Sequence, residues 1–139
     1  LVDLGSGYGR ICFFIAVRYP GTECVGYELV HERVEEAKRA LTRLGLAGVT
    51  FERRDLTDPK LRPIDASYYF AYDPLEYDQV GKVLGDLKSI AARRPLKLVA
   101  IEGRGGFHAV LKKSRWVRKI SDLPSVRGGN NPIWILASP

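Results

Sequence analysis

Residues 1–10 read LVDLGSGYGR, a short apolar strand followed by a glycine-rich turn. The strand contains one acid, Asp3, and the turn has Gly5, Gly7 and Gly9 at every second position. A glycine turn between a strand and the first turn of a helix presents free backbone N–H groups to a ligand. The stretch therefore predicts a ligand-binding loop at the start of an α/β fold.

The pattern after this loop alternates strands and helices. Short apolar or alternating runs predict strands, and longer runs with helical periodicity predict helices. We expect strands at residues 1–4, 23–28, 49–55, 66–72, 96–102, 115–120 and 132–138, and helices at about 9–18, 30–44, 76–92 and 109–113. We interpret this order as five β-α units followed by a β-β pair. It indicates a doubly wound, mainly parallel seven-stranded α/β sheet with one antiparallel strand and helices on both faces.

The second helix is the clearest predicted element. Its apolar residues recur at spacings of four and three, which places them on one face of an amphipathic helix. These residues are Val30, Val34, Ala37, Leu41 and Leu44. Gly45 follows where a C-terminal cap is expected, because glycine adopts the left-handed conformation of that position readily.

Composition and charge limit the class of protein without deciding its partner. The 139 residues suffice for one domain, which we expect to span residues 1–139. No apolar run approaches the ~20 residues of a membrane-spanning helix. Lysine and arginine number 22 against 16 aspartates and glutamates, a net charge of +6. This excess suits an anionic partner such as a nucleic acid or an acidic protein surface, and equally a basic soluble enzyme.

Cysteine and methionine usage gives two further expectations. Cys12 and Cys24 lie in apolar stretches without a Cys/His cluster, so we expect buried free thiols in a reduced, cytoplasmic protein and no metal site. The chain has no methionine and begins at Leu1 inside a predicted core strand. We therefore expect that the natural protein has an N-terminal segment before Leu1.

Three kinds of ligand use a loop of this type, and the positions of the glycines separate them. A phosphate-binding P-loop requires GxxxxGK[ST], which residues 5–10 do not supply. A dinucleotide loop requires GxGxxG, whereas this loop reads GxGxG with Arg10 at the position of the third glycine. That difference disfavours NAD but leaves a reductase as an alternative. The third candidate is a nucleoside with a charged amino-acid tail.

Residues 1–9, LVDLGSGYG, resemble the first motif of the class I, seven-strand S-adenosylmethionine-dependent methyltransferases. In that family, five β-α units and an antiparallel pair accompany the same strand, acid and GxGxG loop. The resemblance implies that S-adenosylmethionine is the cofactor and that Asp3 helps to hold its amino group. The loop residues implied to approach its methionine moiety are Gly5, Ser6, Gly7 and Gly9.

The same resemblance assigns roles at the ends of the second and third strands. Glu28 is implied to accept both ribose hydroxyls, since two carboxylate oxygens match a cis-diol, and Leu29 is implied to pack on the adenine. Asp55 is implied to accept the adenine amino group, with the N–H of Leu56 reaching the ring. Taken alone, Asp55 is also a common turn former. Three acids at successive strand ends favour a cofactor crevice at the carboxyl edge of the sheet.

The methyl acceptor is expected to meet the residues after the fourth strand, where the sequence reads YDPLEY (72–77). Asp73 and Pro74 partly match the (D/N)PP(Y/F/W) motif of amine-directed family members, but Leu75 replaces the second proline. An ordinary helix start, with Asp as the N-cap and Pro in the first turn, is the alternative.

A second resemblance concerns the acceptor. LVDLGSGYGRI (1–11) and VGYEL (25–29) are similar to the opening of the non-SET protein-lysine methyltransferases. This implies a protein lysine as acceptor, ahead of a nucleic-acid amine, in a channel lined by Tyr72, Asp73 and Tyr77. A catalytically inactive module that binds the cofactor or a partner is an alternative of a different class, and an NAD-dependent reductase is the third.

Overall fold

The computed structural model describes residues 1–101, 107–123 and 133–138. Its elements, in chain order, are β1 (Val2–Leu4), α1 (Arg10–Arg18), β2 (Cys24–Glu28), α2 (His31–Leu44), β3 (Val49–Arg53), β4 (Tyr68–Tyr72), α3 (Val80–Ala91), β5 (Lys97–Ile101), α4 (Phe107–Lys113), β6 (Arg118–Leu123) and β7 (Ile133–Ala137). The chain divides into two compact units, Leu1–Leu61 and Arg62–Pro139.

The first unit is a parallel three-stranded arrangement with two helices. β2 pairs with both β1 and β3, and α1 and α2 pack on β2 and β3. β1 is buried along its whole length, as its apolar sequence predicts. The amphipathic face of α2 is buried at Val34 and Ala37, whereas Leu44 in the last turn is 59% exposed. Gly45 caps the helix in the left-handed conformation, with φ 60°, which confirms its predicted role.

The prediction of two free thiols is wrong. Cys12 and Cys24 form a disulfide, with their Cα atoms 5.5 Å apart, and both are completely buried. Cys12 lies in the first turn of α1 and Cys24 opens β2, so both face the core that this helix and strand share, together with Phe51. Their Cα separation falls within the range that a disulfide spans, a proximity that their sequence positions do not reveal.

The second unit contains the antiparallel strand. β4 and β5 pair in parallel, and β7 runs antiparallel to both β5 and β6, with an irregularity in β6 between Lys119 and Ser121. One face of these strands is buried, and α3 contributes an apolar face of its own to the core. The buried strand residues are Tyr69, Ala71, Leu98, Ala100 and Leu136, and those of α3 are Val80, Val83, Leu84, Leu87 and Ile90.

The strand order in the sheet is β3-β2-β1-β4-β5-β7-β6. The predicted fold class, a mainly parallel seven-stranded α/β sheet with one antiparallel strand, is therefore confirmed. Among the described residues, no helix is long and apolar enough to cross a membrane.

The largest differences from the predicted elements concern one missing helix and the starts of α3 and β6. Residues 54–67 contain no helix, so the third strand is not followed by the helix that five β-α units require. α3 begins at Val80 instead of residue 76, because residues 76–79 form a turn closed by the Gln79 N–H donating to the Glu76 carbonyl. β6 begins at Arg118 instead of residue 115. Residue 102, the predicted end of the fifth strand, and residue 132, the predicted start of the seventh, lie outside the described residues.

Candidate functional site

The glycine loop is held in a conformation that requires glycine. Gly5, Gly7 and Gly9 have φ values of 85°, 55° and 82°, a region that disfavours residues with a Cβ atom. The N–H groups of Gly5 and Ser6 both donate to the carbonyl of Tyr27, at 2.9 and 2.8 Å. These bonds fasten the loop to β2 and fix the direction of its remaining N–H groups.

Gly7 and Gly9 lack side chains for different physical reasons. A Cβ atom on Gly9 would overlap the ring of Phe51, which packs beneath the start of α1. A Cβ atom on Gly7 would meet no atom within 4 Å. Gly9 therefore serves packing, whereas Gly7 lies beside open space in which a ligand can approach the backbone.

Glu28 connects the loop to the start of α2. It is 7% exposed, and its Oε2 accepts the Gly7 N–H at 2.9 Å while its Oε1 accepts the Val30 N–H at 2.9 Å. Arg33 lies 3.7 Å from Oε1. A carboxylate has about four acceptor positions, so these two backbone bonds leave capacity for two hydroxyl groups.

Asp3 is a buried carboxyl group close to the charge of Glu28. Burial, reinforced by the negative charge of Glu28, raises the pKa of Asp3 to about 7. A positive group beside it would favour the ionised form and lower this pKa. The pair is therefore suited to a ligand that offers both a cation and a diol.

Ser6 adds a buried hydroxyl to the loop. Its Oγ has no hydrogen-bond partner among the described residues. It lies against Gly26 of β2, where an added Cβ atom would stand 2.7 Å from this Oγ. The sequence reasoning gave Gly26 no role, although a glycine inside a strand is a known sign of close approach by a neighbouring group.

Arg33 and Tyr8 are two further residues without a predicted role. The Arg33 guanidinium lies 5.9 Å from the centre of the Tyr8 ring, and Tyr8 is 53% exposed. Arg33 thereby connects the tip of the loop with Glu28. No local sequence signal singles out Arg33, because its partners Glu28 and Tyr8 are brought to it by the tertiary fold.

The predicted adenine residues lie beyond the ends of β2 and β3. These ends are joined because the Arg54 N–H donates to the Glu28 carbonyl at 2.9 Å. Leu29 is 55% exposed and can offer an apolar surface, whereas Leu56 is buried. Asp55 is exposed, and its Oδ1 accepts both the N–H and the hydroxyl of Thr57, at 2.8 and 2.6 Å. Asp55 therefore forms a turn, which is the alternative role that the sequence predicts for it. Its contact with a cofactor stays a prediction.

The first unit fits a nucleoside with an ammonium-bearing tail. Gly7 provides an open approach, the Ser6 hydroxyl lacks a described partner, Glu28 has acceptor capacity, and Asp3 is a buried carboxyl group. These features lie in and beside one loop. They match the chemical groups of S-adenosylmethionine, whose assignment to these residues stays a prediction.

The predicted acceptor residues lie in the second unit. Asp73 has a φ of 43°, and it is the only non-glycine residue with a positive φ in the part of the chain that the structure describes. Its N–H donates to the Ile101 carbonyl at 2.9 Å. Tyr72 and Tyr77 are 53% and 51% exposed. The helix-start alternative for Asp73 and Pro74 is wrong, because α3 begins only at Val80.

Comparisons with known proteins show a likeness to methyltransferases in part of the sequence and in the fold. Residues 1–68 match a family described as methyltransferase domain. No curated protein matches the sequence of this chain. The match covers the glycine loop, Glu28 and Asp55, and it agrees with the fold. The chain has the fold of the class I S-adenosylmethionine-dependent methyltransferases, and its residues 1–68 are similar to their methyltransferase domain.

Solved structures extend the likeness in fold to the whole chain. The PH0226 protein from Pyrococcus horikoshii OT3 matches with a TM-score of 0.77 and 14% identity, over 99% of this chain and 80% of that one. TrmN from Thermus thermophilus matches with a TM-score of 0.77 and 19% identity, over 99% of this chain and 42% of that one. A SAM-dependent methyltransferase from Aquifex aeolicus matches with a TM-score of 0.72 and 16% identity, over 98% of this chain and 79% of that one.

Proposed function

We propose that the chain transfers the methyl group of S-adenosylmethionine to an amine nitrogen, with a protein lysine as the acceptor. The observation that carries this proposal is the backbone of Asp73, held at a φ of 43° immediately after β4. Sparsely populated backbone conformations concentrate at functional sites, where the surrounding structure maintains them. A half-buried carboxylate fixed in this way is suited to receive an amine.

The flanking side chains suit a lysine. Tyr72 and Tyr77 present exposed rings on either side of Asp73 in the sequence. Aromatic rings pack against the aliphatic stem of a lysine and attract its ammonium group through the ring quadrupole. The proposed channel for the acceptor consists of Tyr72, Asp73 and Tyr77.

The proposed chemistry requires an unprotonated amine. Bound S-adenosylmethionine supplies an electrophilic methyl group on a sulfonium, whose sulfur leaves with the bonding electrons. Asp73 would accept a hydrogen bond from the amine and aim its lone pair, while desolvation lowers the pKa of the lysine. Alignment of two reacting atoms accounts for much of the rate enhancement in such displacements. In this proposal Glu28, Ser6 and Asp3 hold the cofactor.

The test is methyl transfer from tritiated S-adenosylmethionine to a peptide library that contains one lysine at a fixed position. The matched probe is the same library with acetyl-lysine. We expect label in the lysine library alone, and a loss of at least tenfold with Asp73→Asn. Asparagine also tolerates a positive φ, so this variant changes the charge while keeping the backbone. Asp78→Asn, at an exposed acid in the following turn, is the control.

Two outcomes would overturn this proposal in different ways. Label in an oligoribonucleotide included in the same reaction, without label in the lysine library, would assign a nucleic-acid amine as acceptor. Binding of S-adenosylhomocysteine without methyl transfer to any of these probes would favour the inactive cofactor-binding module.

A further inference from the structure

The second unit contains a pocket at the amino ends of β4 and β5, with a volume of about 330 Å³. Tyr68, Pro95, Lys97 and Ser138 contribute to its walls. The volume lies at the lower end of the range for small-molecule sites, which suits a ligand of one or two rings. Asp73 follows the opposite end of β4, so this pocket is separate from the proposed acceptor residues.

The strand register places a row of residues across four neighbouring strands, and the first three of them line this pocket. Tyr68 pairs with Lys97, Lys97 pairs with Ala137, and Ala137 pairs with Arg118. Residues directly opposite each other point to the same face of a sheet. Strands lie about 4.8 Å apart, so the backbones of Lys97 and Arg118 are roughly 10 Å apart with only a methyl group between them. Lys97 therefore flanks a gap beside the methyl group of Ala137, whereas Arg118 does not line the pocket.

The polar groups around this gap are cations and hydroxyls. The Lys97 Nζ lies 5.7 Å from the centre of the Tyr68 ring, which is 49% exposed. The Arg94 Nη2 donates to the Ser67 Oγ at 2.9 Å, and the Ser138 Oγ accepts the Leu96 N–H at 3.0 Å. Among the residues that the structure describes, those that line the pocket include no acid.

The charge of the second unit agrees with this chemistry. Residues 62–139 contain 13 basic and 7 acidic side chains, a difference of six, so this unit accounts for the whole net charge of +6. In the described part of the chain, its ion pairs join Asp86 to Lys82 and Arg62, and Asp65 to Arg93. None of these pairs involves Lys97 or Arg118.

We propose that this pocket binds a small organic anion that has a flat apolar body and one carboxylate. Tyr68, Pro95 and Ala137 would hold the flat body, and Lys97 would hold the carboxylate. This binding site is independent of the methyl-transfer proposal, because it uses neither the glycine loop nor Asp73.

The test is a titration of the ¹⁵N-labelled full chain with 2-naphthoate, followed by amide chemical shifts. The matched probe is 2-naphthamide, which has the same ring system without the charge. We expect 2-naphthoate to shift the amides of Tyr68, Lys97 and Ser138, and 2-naphthamide to bind at least tenfold more weakly. Lys97→Gln should weaken 2-naphthoate binding about tenfold, as expected for the loss of one charge-assisted hydrogen bond.

Two further variants keep the proposal falsifiable. Lys88→Gln, at an exposed lysine of α3, should bind 2-naphthoate as the unmodified chain does. Ala137→Leu should block binding by filling the gap, and the amide spectrum of each variant shows whether it is folded. Equal affinity for the two probes, shifts confined to other amides, or equal behaviour of Lys97→Gln and Lys88→Gln would overturn the proposal.

Discussion

The Oε2 atom of Glu28 accepts the backbone N–H of Gly7 at 2.9 Å. An acid at the end of β2 therefore fixes the glycine loop that follows β1. Its other oxygen accepts the Val30 N–H, so one carboxylate orders both the loop and the chain entering α2. In our account, the residue that binds the cofactor ribose is also the residue that shapes the loop before the cofactor arrives.

Glu28→Gln should lower the stability of the chain. A glutamine side chain has one carbonyl oxygen, so it can satisfy only one of the two backbone N–H groups and leaves the other facing its amide nitrogen. We expect the free energy of unfolding to fall by about 1–3 kcal/mol in urea denaturation. Glu32→Gln, at an exposed acid in the first turn of α2, should change it much less. Equal effects of the two substitutions would contradict the role given to Glu28.

Alanine substitutions at Gly7 and Gly9 of the loop and at Gly45, the cap of α2, allow a matched comparison of stability. Gly7→Ala and Gly45→Ala both place alanine at a left-handed φ with no neighbour within 4 Å, so each should cost about 1–2 kcal/mol of stability. Gly9→Ala adds an overlap with Phe51 and should cost about 2–5 kcal/mol.

Cofactor affinity separates these glycine variants further. Gly7→Ala should weaken S-adenosylhomocysteine binding in calorimetry, whereas Gly45→Ala should leave it unchanged. If Gly7→Ala bound the cofactor normally, the open space beside Gly7 would not be the approach that we assign to it.

Asp3 should make stability depend on pH. Its pKa is about 7 in the folded chain, against an ordinary value of 3.8, so between these limits the folded state holds a proton that the unfolded chain has released. The free energy of unfolding therefore falls as the pH rises through this window, by up to about 4 kcal/mol in total. Asp3→Asn should flatten this fall and be more stable than the unmodified chain above pH 7. Urea denaturation of both proteins across this pH window measures the free energy of unfolding. If it fell equally with pH in the unmodified chain and in Asp3→Asn, the role given to Asp3 would be refuted.

The disulfide between Cys12 and Cys24 should stabilise the first unit. Because it closes a loop of 12 residues, its reduction should lower the free energy of unfolding by about 3 kcal/mol in the chain-entropy account. Denaturation with and without dithiothreitol measures this difference. The double variant Cys12→Ala, Cys24→Ala should show no response to the reductant, and an equal response of both proteins would exclude the disulfide as its cause.

Local sequence signals were sufficient for the fold class and for the glycine turn after β1. The spacing of Gly5, Gly7 and Gly9 predicted a glycine-rich turn, and the periodicity before Gly45 predicted α2 with its cap. These features depend on backbone sterics and helical periodicity, which act over a few residues. For the same reason, the start of α3 was misplaced, because the turn at residues 76–79 resembles helix in composition.

The remaining features depend on contacts between residues far apart in the chain. The Cys12–Cys24 bond, the approach of Ser6 to Gly26 and the double role of Glu28 follow from how α1, β2 and the loop pack. No spacing rule encodes these distances. The positive φ of Asp73 belongs with them, since the sequence equally allowed a helix start at that position.

The most direct test of the central claim is calorimetric titration of the chain with S-adenosylhomocysteine and, separately, with NAD, using Glu28→Ala as the comparison. Our account predicts that S-adenosylhomocysteine binds, that Glu28→Ala weakens this binding at least tenfold, and that NAD does not bind. Binding of NAD alone, or S-adenosylhomocysteine binding that Glu28→Ala leaves unchanged, would contradict the assignment of the glycine loop and Glu28 to this cofactor.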